Sequence, residues 1–317
     1  VDYRRVGRSG LAVSELGLGG NNFGGRLGLK ETEAVVNAAI DGGVTFIDTA
    51  EQYGATPGAS EEVLGKVLKG RRDQIVLGSK FGHFRGRSSL TPATGGRAGR
   101  SAIRHAIEGS LRRLGTDHID LYQYHRFDPG TPLEETLDAL QDLVQEGKIR
   151  YFGHTTFRGW QVADAHYLAL ARGHVGFVSA SYQWNMIERW AETDAVPGAE
   201  RYGLGVIPYF PLAQGLLTGK FFSGIPEGTR LATTPELVTE DKLAVAARYQ
   251  KWADEHGISL LEVAFGGLTR HPVVSTVIAG VSNPEQVRSN IRAVSWHPSP
   301  EESAELDEIN PAPRWIE

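Results

Sequence analysis

The chain has 317 residues, 40% of them hydrophobic and 22% charged, a formal net charge of −5, and no cysteine. No Lys/Arg run marks a nucleic-acid or membrane footprint, so neither partner is expected. Disulfide scaffolds, thiol nucleophiles and cysteine zinc sites are excluded outright, and the composition fits a reducing, cytoplasmic setting.

Val1 to Gly10 is polar and basic and lacks the apolar stretch of a signal peptide. A hairpin is predicted over about Tyr3–Val13, followed by a strand over Ser14–Gly19. Val35, Val36, Ala39 and Ile40 fall at helical spacing, and Gly42-Gly43 closes that helix. Val44–Ile47 reads as the next strand. A helix capped by Ser60 then places Val63, Leu64, Val67 and Leu68 on one face and stops at Gly70. Strand Ile75–Gly78, helix Ser101–Leu114 and strand Ile119–Tyr124 continue the cycle. Thr131-Pro132-Leu133-Glu134 has the form of a capping box with Pro at N1, opening a helix ended by Gly147. Further strands are predicted near Ile149–Gly153, Phe177–Ser181, Leu204–Pro208 and Ser275–Ile278.

Eight strands alternating with helices imply parallel pairing through right-handed crossovers. At this length the pattern predicts an α/β fold, a (β/α)8 TIM barrel with an N-terminal β-hairpin and long loops at the C-terminal face. No composition break divides residues 1–317, so a single domain is expected. Lys80–Arg100 and Phe210–Pro235 are long for plain connections and read as functional loops.

Several motifs are missing. Gly17-Leu18-Gly19-Gly20 lacks the G-x-G-x-x-G spacing of a doubly wound dinucleotide fold, and Gly215–Lys220 lacks that of a P-loop. There is no H-E-x-x-H and no G-x-S-x-G. The ten histidines do not cluster at ligand spacing, so no metal is expected.

Active sites of such barrels gather at the C-terminal ends of the strands. Asp48 closes Phe46-Ile47-Asp48, Tyr53 lies in the loop just beyond, Lys80 closes Val76–Lys80, and His125 closes Leu121–His125. Alone, each has an ordinary reading: a cap for Asp48, a solvated charge for Lys80, a packing ring for Tyr53, a backbone partner for His125. Together they suit proton delivery to a carbonyl oxygen. A phenol titrating near 10 is a poor acid–base group at neutral pH. A neighbouring ammonium stabilises the phenolate, a carboxylate keeps that ammonium charged, and an imidazole can hydrogen-bond the carbonyl.

The segments Phe46-Ile47-Asp48-Thr49-Ala50-Glu51-Gln52-Tyr53-Gly54, the strand ending in Lys80, Ser110–Tyr122, Pro211–Lys220 and Gly280–Gln286 carry a resemblance to a known family. The chain resembles the aldo-keto reductases over essentially its whole length, on the branch of bacterial reductases related to potassium-channel β subunits. The resemblance implies NADP(H) as cofactor, a small carbonyl or alcohol substrate, and a catalytic set of Tyr53, Asp48, Lys80 and His125 with Tyr53 the proton donor. It also implies cofactor contacts. Gly20 and Asn21 belong by the nicotinamide, Thr155 by its carboxamide, and Tyr209 stacked on its ring, with Asp48 also counted among the cofactor-binding residues. Phe210, Leu212 and Gly215 line the pyrophosphate, Lys220 and Arg230 reach the phosphates, and Gly280, Ser282, Gln286 and Asn290 lie on the adenosine side near the 2′-phosphate. Three departures stand out. Ser181 occupies the place of the family's carboxamide-holding Gln, with Gln183 two residues on and on the same side of the strand. Ser289 stands where an acid usually precedes Asn290. The common Gly-Val-Ser-Asn stretch is Gly153-His154-Thr155-Thr156.

Two other readings are weighed. An NADP(H)-binding redox-sensing or regulatory subunit with slow turnover is suggested by the branch, and His125 argues against it. A Schiff-base lyase on Lys80 is disfavoured because Asp48 would keep the amine charged. Phe23, Phe81, Phe84, Phe127 and Trp184 read either as pocket walls or as packing.

Overall fold

Two short antiparallel strands, β1 (Tyr3–Arg5) and β2 (Ala12–Ser14), open the chain in the computed structural model, which describes residues 1–83, 96–222 and 234–314. Eight parallel strands follow: β3 (Leu16–Gly19), β4 (Phe46–Asp48), β5 (Val76–Phe81), β6 (Ile119–Tyr124), β7 (Ile149–Thr155), β8 (Ser179–Gln183), β9 (Gly205–Tyr209) and β10 (Val277–Gly280). They close into a barrel when β10 pairs with β3 through Val277↔Leu16. Around them lie α1 (Leu29–Asp41), α2 (Ala59–Val67), α3 (Arg100–Leu114), α4 (Leu133–Gln145), α5 (Gly159–Ala171), α6 (Ala195–Arg201), α7 (Glu240–His256), α8 (Leu260–Thr269), α9 (Pro284–Val294) and α10 (Pro300–Ile309). The fold is a (β/α)8 TIM barrel with an N-terminal hairpin.

Each barrel strand is covered on both faces, which is why β6 is buried at all six positions despite carrying Asp120 and Gln123. Six of the eight barrel strands run one to three residues past their predicted ends, while β3 and β6 end at Gly19 and Tyr124 as expected. β5 extends to Phe81, β7 to Thr155, β8 to Gln183 and β10 to Gly280. Polar residues that face the barrel mouth still take part in the ladder, so hydrophobicity marks the strand ends too early.

Two expected caps are corrected. Ser60 lies inside the first turn of α2, whose cap is Gly58; its hydroxyl bonds the Gly20 carbonyl at 2.8 Å and pairs with the Thr49 hydroxyl at 2.7 Å. The capping box at Thr131 does not form. Pro132 is the cap of α4, without a side-chain bond, and the Thr131 hydroxyl donates to Asp128 at 2.9 Å.

Two packing units position the mouth. Val6, Leu11 and Val13 of the hairpin region join Phe46, Leu121, Ile207 and Ile278 in one apolar cluster. Beyond β9, Leu216, Leu217 and Phe221 are anchored among Tyr249, Trp252 and Leu306 from α7 and α10. Of the two long loops, residues 84–95 and 223–233 lie outside the described residues. Among the described residues no helix is long and apolar enough to cross a membrane.

Candidate active site

Side chains alternate along a strand, so Asp48 faces the barrel interior with Phe46, and Lys80 with Gly78. A side chain on Gly78 would lie 3.0 Å from the Phe46 ring and 3.3 Å from Asp48 Oδ1. The bare glycine therefore leaves the space in which Lys80 and Asp48 meet. Lys80 Nζ donates to Asp48 Oδ2 in a buried ion pair, to the Thr49 carbonyl at 3.1 Å and to the Tyr53 hydroxyl at 3.5 Å. It also stands 5.0 Å from the centre of the Tyr53 ring. The second Asp48 oxygen accepts from the Gln123 amide at 3.0 Å. His125 meets Tyr53 edge-on with ring centroids 5.9 Å apart, and the His83 ring packs against it at 4.6 Å. Asp48 is 1% exposed and Lys80 3%, whereas Tyr53 is half-buried. The ion pair is sealed and the phenol is reachable.

Burial opposes the charge on Lys80, but the Asp48 carboxylate and then Tyr53 outweigh it and hold the ammonium above the ordinary lysine range. Burial likewise pushes the Asp48 carboxyl up, with Lys80 and Gln123 pulling against it. His125 is held well below the ordinary histidine range by burial, then by Lys80, His83 and Arg126. Its imidazole is neutral at neutral pH and carries one N–H.

The strand tips are laced together past the regular ladder. Thr49 N–H donates to the Gly78 carbonyl at 2.9 Å, Glu51 N–H to the Lys80 carbonyl at 3.1 Å, His125 N–H to the Phe81 carbonyl at 2.8 Å and Thr156 N–H to the Ser181 carbonyl at 3.0 Å. The Thr155 hydroxyl donates to the His125 carbonyl. All four strand-end residues singled out in the sequence are thus brought together. Gln123 was missed there, although it precedes His125 by two and must share its side of β6. His83 was missed as well; no pattern marks it.

Several of the other predicted residues lie just past the strand tips. Gly20 and Asn21 form a 3-10 turn just past β3. A side chain on Gly20 would lie 3.0 Å from the Asp48 carbonyl, and one on Gly280 3.0 Å from Asn21 Oδ1. After Tyr209, the backbone is left-handed at Phe210 (φ 55), Ala213 (φ 45), Gln214 (φ 59) and Gly215 (φ 113). Both Gly215 N–H and Leu217 N–H return to the Leu212 carbonyl, at 2.8 and 3.2 Å. A left-handed conformation costs a non-glycine residue roughly 1–2 kcal/mol, and such strain gathers at ligand clamps. Ser181 gives its hydroxyl to the Ile207 carbonyl at 2.8 Å, and Gln183 gives its amide to Glu188 at 2.6 Å. Ser282 N–H donates to the Gln286 side chain at 2.8 Å. Asn290 is buried, lining a small cavity with Leu18 and Val281. Lys220 is exposed; Arg230 and Phe84 lie outside the described residues. Phe23, Phe81 and Trp184 are core residues rather than pocket walls, and Phe127 is half-buried against Phe157 and Trp160.

Residues 15–311 match the aldo/keto reductase family. The chain belongs to that family of oxidoreductases. Among its relatives, an uncharacterized oxidoreductase of Bacillus subtilis is 35% identical over 99% of this chain and 97% of its own length. A putative voltage-gated potassium channel subunit beta of Schizosaccharomyces pombe is 36% identical over 98% of this chain and 93% of its own. An L-glyceraldehyde 3-phosphate reductase of Escherichia coli O157:H7 is 32% identical over 97% and 92%. This aldo/keto reductase therefore stands near both reductases and channel β subunits.

Proposed function

We propose that this aldo/keto reductase is an NADP(H)-dependent enzyme, one domain acting in the cytoplasm, that moves a hydride to or from an aldehyde, ketone or sugar-like carbonyl. Tyr53 is its general acid and base. The observation that carries this reading is the Lys80 ammonium, sealed against Asp48 and 3.5 Å from the Tyr53 hydroxyl. That charge stabilises a phenolate, so Tyr53 can release its proton to a carbonyl oxygen near neutral pH. Asp48 keeps Lys80 protonated, and the Gln123 amide fixes the carboxylate. Neutral His125 donates an N–H to the same carbonyl oxygen without competing to protonate it.

The residues present fit NADP(H). The strained turn from Phe210 to Gly215 offers backbone N–H groups and close approach to a pyrophosphate, and Tyr209 offers a ring face. Gly20 and Gly280 add no side chains of their own to the rim between β3 and β10, where the Asn21 side chain lies. When bound, the cofactor supplies or takes up the hydride. By the resemblance, Thr155, Ser181 and Gln183 are assigned to its carboxamide, and Lys220 and Arg230 to its phosphates. Gln286 and Asn290 are assigned to the adenosine side.

The test is NADPH oxidation with a panel of aldehydes and ketones. The panel includes short-chain phosphorylated aldehydes, given the glyceraldehyde 3-phosphate reductase relative. Tyr53→Phe is expected to lower kcat by about 10²–10⁴ while NADPH binding is retained. Full activity in that variant would sink the assignment. The similarity to channel β subunits supports a second reading, a slow NADP(H)-binding regulatory subunit; tight NADPH binding without turnover on any carbonyl would select it.

A further inference from the structure

Outside the barrel wall, where α2 and α3 pack on β5 and β6, lies a buried polar cluster that the chemistry above does not use. Glu61 of α2 is fully buried and well satisfied, by Arg113 of α3 at 2.6 Å and by the Ser79 hydroxyl at 2.6 Å. Glu51 stands two residues before Tyr53 and is 4% exposed. Among the described residues its Oε1 accepts only a main-chain bond, from Gly82 N–H at 3.0 Å. Its Oε2 is buried and has no hydrogen-bond partner among the described residues. Glu61 from α2, Arg113 from α3 and Tyr122 from β6 face it. Two carboxyls thus share one guanidinium, and Glu61 takes it. Glu51 is left as the one whose charge is expensive. Burial raises it to about 7, with the Gly82 N–H opposing, Glu61 adding and Arg113 subtracting.

The partner of Glu51 is well placed to matter. Gly82 follows Lys80 by two residues and its backbone is left-handed, at φ 79. Its carbonyl accepts from Arg97 at 3.3 Å, and the preceding Phe81 carbonyl takes the His125 N–H. The Glu51 carboxyl therefore joins the loop that carries Tyr53 to the main chain that carries Lys80 and steadies His125.

We infer that Glu51 is a positioning residue, a carboxyl clamp that fixes the Tyr53 loop on the tip of β5 and so sets the phenol against Lys80. The inference rests on the proposed role of Tyr53. Glu51→Ala removes the clamp, whereas Glu51→Gln keeps an acceptor for Gly82 N–H that does not titrate. In NADPH oxidation, Glu51→Ala is expected to lose about tenfold or more in kcat, as misplaced acid–base groups do, with NADPH affinity (read by nucleotide fluorescence) little changed. Glu51→Gln is expected to recover most of that loss. Wild-type kcat in Glu51→Ala, or no recovery in Glu51→Gln, overturns the clamp.

A second measurement needs no turnover. A carboxyl raised in the folded state gives its full stability below the ordinary glutamate range and loses it as pH rises through about 7. The thermal midpoint of the wild type should therefore fall relative to Glu51→Gln between about pH 5 and about pH 8. Parallel curves overturn the sealed, unpartnered carboxyl oxygen from which the clamp is argued. A diverging pair of curves in a protein that reduces no carbonyl supports the buried clamp and overturns the proposed function instead.

Discussion

Removing the Lys80 ammonium leaves the Asp48 carboxylate at 1% exposure with the Gln123 amide as its remaining side-chain partner among the described residues. Breaking one side of a buried pair costs about 3–5 kcal/mol, while replacing both sides with apolar groups can be neutral. Lys80→Met is therefore expected to lose both stability and turnover. Lys80→Met with Asp48→Leu should regain much of the stability, by urea denaturation, and none of the NADPH oxidation. Recovered activity in the double variant would contradict the role given to the ion pair. At this scale the sequence was informative wherever a polar residue ended an apolar run, as with Asp48, Lys80 and His125. It was silent on Glu51, because nothing in a pattern says that a loop carboxyl turns into the wall. His154 shows a related limit. It looked like a departure near the cofactor, yet it is fully buried, stacked on Phe157 at 4.3 Å, with neither ring nitrogen hydrogen-bonded among the described residues. Burial lowers it to about 3 from 6.5. The unfolded chain takes up that proton first, so stability should fall as pH drops from about 6.5 towards 3, by up to about 1.4 kcal/mol per pH unit. His154→Phe should flatten that part of the curve in acid denaturation.

Elements were legible in number and order, and less so at their ends. Six strand ends lie beyond their predicted places because polar residues at the mouth are members of the ladder, whereas β3 and β6 end where expected. The Thr131 cap was misjudged because the T-x-x-E pattern is local and Asp128 competes for the hydroxyl. Two capping boxes that went unread, Ser259 with Glu262 and Ser299 with Glu302, do form. Ser259→Ala should cost about 1 kcal/mol. Helix contacts were invisible in the sequence, and Gly65 is the clearest case. A side chain there would lie 2.5 Å from the Arg113 carbonyl and 2.8 Å from the Leu114 carbonyl. Gly65→Ala should push α2 off α3 at a cost of roughly 1–3 kcal/mol by urea denaturation. Because α2 and α3 carry Glu61 and Arg113, the same variant should also disturb the surroundings of Glu51.

For the whole molecule, the alternation of strands and helices sufficed to give the barrel, since eight parallel strands of this length close with few alternatives. The rim proposed for the cofactor was legible only through resemblance: its strain comes from backbone angles at Phe210, Ala213 and Gln214 that no residue type there announces. A ligand that binds only the folded barrel raises its stability by about 2.7 kcal/mol at a hundredfold excess over Kd. NADPH should thus raise the melting midpoint by roughly 5 °C, and NADH at equal concentration by clearly less; equal shifts would argue against a 2′-phosphate site. The lacing of the strand tips has a consequence for motion. Glu51, His125 and Thr156 lend their amide protons to neighbouring strands beyond the formal ends of the sheet. Those protons should exchange with deuterium slowly and at one common rate, because releasing any of them requires the mouth to open as a unit.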